Sequence, residues 1–246
     1  MQPGGGGAPL SVDIALKKFR SAEGVELTVL ENLSFEVRRG EFACLLGPSG
    51  CGKTTTLRIL LGLERDFTGK FTLPESHEGR IAAVFQEPLL LPWRTVEDNV
   101  RLALPAQARG KNLDALFASL GLAAMRALFP AELSLGLARR AALARAFATE
   151  PSVLFLDEPF VSLDEPTAVR LRQLLLGLWS ERPTTALMVT HNLAEALVLS
   201  DRIVVLSARP AHVLGSFDIR LPRQYRNPQV LSDLARAFHQ KFPAQA

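Results

Sequence analysis

Apolar and polar positions change their spacing several times along the chain, and each change marks a new element. Val12 to Phe19 and Val25 to Val37 are rich in β-branched and alternating apolar residues. That is the pattern of strands with one buried face, and Glu23-Gly24 between them predicts the turn of an antiparallel pair. Glu41 to Leu46 is a short continuous apolar run ahead of a glycine-rich segment, and the helical spacing of Thr54 to Leu63 stops at Gly62 to Glu64. A strand, a loop and a helix in succession are predicted there. Ile81 to Phe85, Val153 to Leu156, Thr185 to Thr190 and Ile203 to Leu206 are further apolar runs interleaved with helical patterns, as in a buried, mainly parallel sheet. Between Glu87 and Glu132 the strand signals vanish. Segments rich in alanine and leucine, such as Leu113 to Leu120, take over and are broken at Pro105, Gly110, Gly121 and Pro130. Val230 to Phe242 is amphipathic and predicts a short terminal helix.

The expected fold class is therefore α/β, with an N-terminal antiparallel β subdomain and an α-helical subdomain inserted at about 87–140. The main domain is expected over 10–220 and a short helical extension over 221–246. Residues 1–9 read as a disordered tail, because Gly4 to Gly7 between Pro3 and Pro9 bury too little surface to offset chain entropy.

Composition narrows the classes. With 48% hydrophobic and 22% charged positions in 246 residues, the chain has apolar material for one large or two coupled lobes. No run approaches the roughly 18 apolar residues of a membrane-spanning helix, so a soluble protein is expected. Two cysteines, Cys44 in a strand-like run and Cys51 in the glycine-rich loop, are not a disulfide scaffold and fit a reducing cytoplasm. A net charge of +3 with scattered basic residues argues against a nucleic-acid partner.

Gly47-Pro48-Ser49-Gly50-Cys51-Gly52-Lys53-Thr54 has the phosphate-loop spacing of Gly, four residues, Gly, Lys, then Ser or Thr, and it lies between an expected strand and an expected helix. Glycines let backbone N–H groups curl round anionic oxygens, and the helix start adds positive dipole character. Lys53 supplies a mobile charge for the outer phosphates, Thr54 a hydroxyl for Mg²⁺, and Thr55 stands alongside. The strand Val153 to Leu156 ends in Asp157-Glu158. Carboxylates at a strand's C-terminal end face the ligand crevice of an open α/β sheet, where Asp157 suits Mg²⁺ and Glu158 suits a base polarising a water.

From Asn32 to about Ser207 the chain resembles ATP-binding cassette ATPases, because further motifs follow in that family's order. The resemblance implies a P-loop NTPase with a RecA-like core, ATP and Mg²⁺ as cofactors, and ATP hydrolysis. It implies that Gln86 touches Mg²⁺ and the attacking water, that His191 contacts the γ-phosphate, and that Phe19 stacks on adenine. Leu133-Ser134-Leu135-Gly136-Leu137 stands where the family has Leu-Ser-Gly-Gly-Gln, so Ser134 and Gly136 are expected to close over the γ-phosphate of a second copy. Ser162-Leu163-Asp164 resembles the loop coupling opposed sites. Leu137 cannot donate a side-chain hydrogen bond, a loss of about 0.5–1.5 kcal/mol that slows rather than abolishes the site.

Within the family, Phe85-Gln86-Glu87-Pro88, then Leu89-Leu90-Leu91-Pro92-Trp93-Arg94 and Val96-Glu97-Asp98-Asn99-Val100, resemble the nitrate, sulfonate and taurine importers. Leu221-Pro222-Arg223 resembles that group too. The resemblance implies a transport-coupled ATPase for a small anionic solute, peripheral on the cytoplasmic face of the inner membrane. Its implied partners are a second ATP-binding subunit, transmembrane permease subunits and, indirectly, a solute-binding protein. A soluble non-transport ATPase, or a subunit of weakened turnover, is the alternative.

Overall fold

The computed structural model describes residues 8–20, 24–74 and 80–243. Most of the expected tail and the Glu23 half of the first turn lie outside the described residues. Two compact units are present: Met1–Glu75 with Thr185–Ala246, and Ser76–Thr184.

In the first unit, β1 (Leu10–Arg20) and β2 (Glu26–Val37) pair antiparallel from Leu10↔Val37 to Arg20↔Glu26. Leu10, Val12 and Ile14 are buried, Ser11 between them is half-buried, and Asp13 and Ala15 are exposed, the period-two burial that their alternation predicts. β3 (Phe42–Leu46) follows, then α1 (Lys53–Leu60) and β4 (Thr68–Thr72). The helix ends three residues short of the expected Leu63, because Gly62 at φ 69° closes it and Leu63 N–H bonds back to the Arg58 carbonyl. β4 pairs with the other edge of β1. It was not expected, since Thr-Gly-Lys-Phe-Thr carries a single apolar side chain. Its Gly69 passes so close beneath β1 that a Cβ there would sit 2.8 Å from the Ile14 Cα.

The second unit starts with β5 (Ile81–Val84), followed by α2 (Val96–Leu102), α3 (Asp114–Ser119) and α4 (Leu135–Ala148). Single 3-10 turns at Ala106–Ala108, Ala123–Met125 and Pro130–Glu132 join them, and no strand interrupts the described residues there. α3 is slightly shorter than expected, and α4 begins directly after Ser134, which caps it. β6 (Val153–Asp157) then pairs parallel with β5, and α5 (Glu165–Glu181) completes the unit. Phe117, Leu143, Phe155, Leu171 and Leu175 are among its buried residues.

The chain returns to the first unit with β7 (Thr185–Thr190), α6 (Leu193–Leu199), β8 (Arg202–Leu206), β9 (Val213–Asp218) and α7 (Pro228–Lys241). β3 lies between β7 and β8, parallel to both, and all five of its residues are buried. That position explains an uninterrupted apolar run where a half-exposed strand would alternate. β9 adds antiparallel to β8. Phe238 of α7 is fully buried, with its ring 5.6 Å from Phe217 and 5.2 Å from Phe242. The fold is α/β with an antiparallel β subdomain, mainly parallel core strands and flanking helices. Among the described residues, no helix is long and apolar enough to cross a membrane.

Candidate functional site

The phosphate loop leaves the C-terminal end of β3 and runs into α1. Gly50 at φ 74° occupies the third position of a turn in which Cys51 N–H donates to the Pro48 carbonyl, a geometry that favours glycine. Gly52 has φ 122°, and a Cβ there would come 2.6 Å from the Leu30 side chain and 2.9 Å from that of Val29. Gly50 is therefore fixed by backbone shape, and Gly52 by backbone shape and by crowding from β2. Lys53 is buried, and its Nζ donates to the carbonyls of Gly47 at 2.8 Å and Pro48 at 2.9 Å. Thr54 is exposed on the first turn of α1, Thr55 is half-buried, and the Thr56 hydroxyl donates back to the Gly52 carbonyl. Burial pushes the thiols of Cys44 and Cys51 up, more than the nearby Lys53 ammonium lowers them, so neither is a nucleophile at neutral pH.

Leu46 at the end of β3 is in register with Thr190 at the end of β7. The phosphate loop and His191 thus emerge at the same end of adjacent strands. His191 is exposed, and Asn192 after it caps α6 by accepting from the N–H groups of Ala194 and Glu195. Phe19 lies near the end of β1, 40% exposed, with the Lys17 ammonium 4.4 Å from its ring centroid.

In the second unit the parallel register Val84↔Leu156 brings Gln86 and Asp157-Glu158 out at one end of the β5–β6 pair. Asp157 is buried at the strand end, Glu158 is half-buried, and Gln86 is exposed. Glu158 adopts φ 41°, left-handed backbone that a non-glycine residue enters only under constraint. Arg139 of α4 supplies that constraint. It is 3% exposed, and its guanidinium donates to the carbonyls of Glu158, Pro159 and Val161 at 3.3, 2.6 and 2.8 Å.

Ser134 is the exposed N-cap of α4, its hydroxyl accepting from Leu137 N–H at 3.4 Å, and Leu135 beside it is 41% exposed. Gly136 is buried on the side facing α5, where an added Cβ would lie 2.7 Å from Thr167 Cγ2. Asp164 caps α5, accepting from Thr167 N–H at 3.0 Å and from its hydroxyl at 2.8 Å; those bonds hold its carboxyl below the usual range. The segment after Gln86 is shaped from two sides. Arg145 of α4 donates to the carbonyls of Pro88 and Leu89 at 2.8 and 2.6 Å. The fully buried Asn99 of α2 bonds Leu91 N–H and the carbonyls of Leu91, Arg94 and Thr95. Trp93 stands 69% exposed at the tip. Arg139, Arg145 and Thr167 carry no motif, and Asn99, although it stands in the Val96 to Val100 segment, has no role that the sequence assigns. Arginines within the alanine-rich stretch Ala138 to Ala148 were the available signal.

Residues 30–161 match the ABC transporter family. The chain is similar to the aliphatic sulfonates import ATP-binding protein SsuB 2 of Burkholderia cenocepacia, 41% identical over 243 residues covering 96% of this chain and 89% of that protein. It is 36% identical to the aliphatic sulfonates import ATP-binding protein SsuB of Bacillus cereus over 237 residues, 92% of this chain and 93% of that protein. The dimeric structure of MJ0796, a bacterial ABC transporter cassette, superposes with a TM-score of 0.74 at 27% identity, covering 87% of this chain and all of that one. A post-hydrolysis state of the same cassette, dimeric and bound to ADP and Pi, superposes at 0.73 with 26% identity. The chain belongs to the ABC transporter family, as one of its ATP-binding, ATP-hydrolysing cassettes.

Proposed function

We propose that this cassette powers the import of a small anionic solute of the aliphatic sulfonate type. It would act as one of a pair, peripheral on the cytoplasmic face of the inner membrane and docked on transmembrane permease subunits that receive the solute from a binding protein. The observation that carries the reading is the phosphate loop. A buried Lys53 is held among loop carbonyls at the start of a helix, within a chain that aligns along nearly its whole length with sulfonate import ATP-binding proteins.

In this reading the amides of Gly47 to Thr55, with Pro48, Ser49, Gly50, Cys51 and Gly52 between, surround the outer phosphates of ATP, and Lys53 swings onto them. Phe19 stacks on adenine. The Thr54 hydroxyl, the Gln86 amide and the Asp157 carboxylate are hard oxygen donors of the kind Mg²⁺ takes, and Mg²⁺ would neutralise charge on the phosphates. Glu158 polarises the attacking water and His191 steadies the γ-phosphate. Ser134 and Gly136 of a second copy close the nucleotide in, and Asp164 couples the two sites. Leu137, which lacks a side-chain donor, weakens that closure by about the 0.5–1.5 kcal/mol of one neutral hydrogen bond without preventing it. The expected boundaries stand as part of this proposal: a tail over 1–9, a cassette over 10–220 with a helical subdomain at about 87–140, and an extension over 221–246.

Glu158→Gln tests the assignment. The variant should bind Mg·ATP, dimerise in its presence by light scattering, and lose ATPase activity at least about a hundredfold, the scale of a removed general base. Normal turnover in the assembled transporter would sink the assigned base. Failure of Lys53→Ala cells to lose alkanesulfonate uptake would sink the transport reading.

A further inference from the structure

Lys53 presents a physical difficulty: the two loop carbonyls it holds, those of Gly47 and Pro48, lose those bonds when its ammonium moves to a phosphate. A second cation reaches the same loop from outside. Arg209, in the turn between β8 and β9, donates from Nε to the Gly50 carbonyl at 3.0 Å, and its Nη2 bonds the same oxygen.

The turn that carries Arg209 is held tightly. The Ser207 hydroxyl donates toward the Ala208 carbonyl at 2.7 Å and accepts from His212 N–H at 3.0 Å, while Ser207 N–H bonds the His212 carbonyl at 3.0 Å. Ala211 is fully buried, donates to the Val29 carbonyl at 2.8 Å, and accepts from Glu31 N–H at 3.1 Å. The turn is thereby tied to β2 at Val29 and Leu30, whose side chains crowd Gly52 of the phosphate loop. The loop is thus supported at Gly52 by β2 and at Gly50 by Arg209, and both supports lead to the same β8–β9 turn.

We infer that Arg209 is a positioning residue for the phosphate loop. It fixes the Gly50–Cys51 peptide so that the loop keeps its phosphate-binding shape when Lys53 releases the Gly47 and Pro48 carbonyls. Gly50 is the left-handed residue of the Pro48–Cys51 turn, and rotation of the peptide that follows it would redirect the Cys51 N–H. A guanidinium presenting two N–H groups to that carbonyl resists the rotation, and its charge adds to the positive potential around the loop. Arg209 is exposed, so its removal leaves no cavity. Its effect falls on nucleotide binding rather than on folding.

The inference rests on the reading of Lys53 as a phosphate ligand, and the experiment separates the two. Mg·ADP and Mg·ATP affinities are measured by titration calorimetry on the full chain for wild type, Lys53→Ala, Arg209→Ala and Arg209→Lys. Melting without nucleotide and steady-state kinetics in the assembled transporter accompany them. Arg209→Ala should weaken both nucleotides about fivefold to tenfold, the scale of one ordinary hydrogen bond and fitting for an exposed, solvent-screened guanidinium, and raise KM by a similar factor. It should leave kcat and the nucleotide-free melting temperature unchanged, and Arg209→Lys should recover part of the affinity. Unchanged affinity in Arg209→Ala alongside lost binding in Lys53→Ala would overturn the role of Arg209 alone. A fall in nucleotide-free melting temperature matching the affinity loss would overturn it as well, by making Arg209 a folding residue. Undiminished binding in Lys53→Ala would overturn both readings together.

Discussion

Replacing Gly136 by alanine should reverse the sign of its effect on stability according to one methyl group on a different helix. The alanine Cβ would stand 2.7 Å from Thr167 Cγ2, against an ordinary carbon contact of about 3.5–4.0 Å. Overpacking of this kind costs about 1–3 kcal/mol. Opposing it, alanine is favoured over glycine within a helix by about 1 kcal/mol, so in the wild-type background the net loss should be about 0–2 kcal/mol. Thr167→Ser removes Cγ2 and keeps both the N–H and the hydroxyl that bond Asp164. In that background Gly136→Ala meets open space and should be neutral or stabilising by up to about 1 kcal/mol. Urea unfolding of the four proteins, followed by far-ultraviolet circular dichroism, measures the coupling directly. Equal effects of Gly136→Ala in the two backgrounds would refute the argument, because the loss would then have nothing to do with Thr167.

Two further outcomes follow from charged residues of the same unit, one buried and one half-buried. Arg139→Lys should cost about 2–4 kcal/mol in chemical denaturation and lower ATPase turnover at least tenfold, since a single ammonium nitrogen does not span the carbonyls that two guanidinium nitrogens reach and Glu158 loses the constraint on its left-handed backbone; wild-type turnover in this variant would contradict the constraint. The Glu97 carboxyl is held below its ordinary range first by hydrogen bonds from Arg126 and then by Arg101. Its contribution, about 1 kcal/mol for such a network, is full above the ordinary glutamate pKa and lost as pH falls through the depressed folded value. Glu97→Gln should therefore lower stability at neutral pH and flatten the acid limb of urea midpoint against pH; parallel wild-type and variant curves would show that the carboxylate contributes nothing.

The core strands were legible because burial on both faces writes an uninterrupted apolar run, as in Phe42 to Leu46 and Thr185 to Thr190. β4 and β9 were not. Each lies at a sheet edge, and Thr-Gly-Lys-Phe-Thr and Val-Leu-Gly-Ser-Phe-Asp need few apolar positions when pairing with a neighbouring strand supplies their order. The phosphate loop could be read because its chemistry is local, carried by contiguous glycines and a lysine. Arg209 could not, because its bond to Gly50 joins residues separated by 159 positions. Arg139 was invisible for a related reason: an arginine in an alanine-rich helix reads as a solvated face until the three carbonyls around it are known.

α4 gathers these separate observations into one element. Within fourteen residues it is capped by Ser134, packs Gly136 against Thr167 beside the Asp164 cap, grips the Glu158–Val161 backbone through Arg139, and holds Pro88 and Leu89 through Arg145. A helix of this length is stiff along its axis, whereas each loop it touches is irregular backbone. The loop after Gln86, the Glu158 carbonyl and the Thr167 side chain beside the Asp164 cap are therefore all held against one helix, the first of them through Arg145. Removing Arg145 would release the Pro88–Leu89 segment while leaving the Arg139 and Gly136 contacts in place. For that reason α4, whose interior carries no phosphate-binding motif of its own, is the element that touches both the segment leading to the exposed Trp93 and the backbone that carries Glu158.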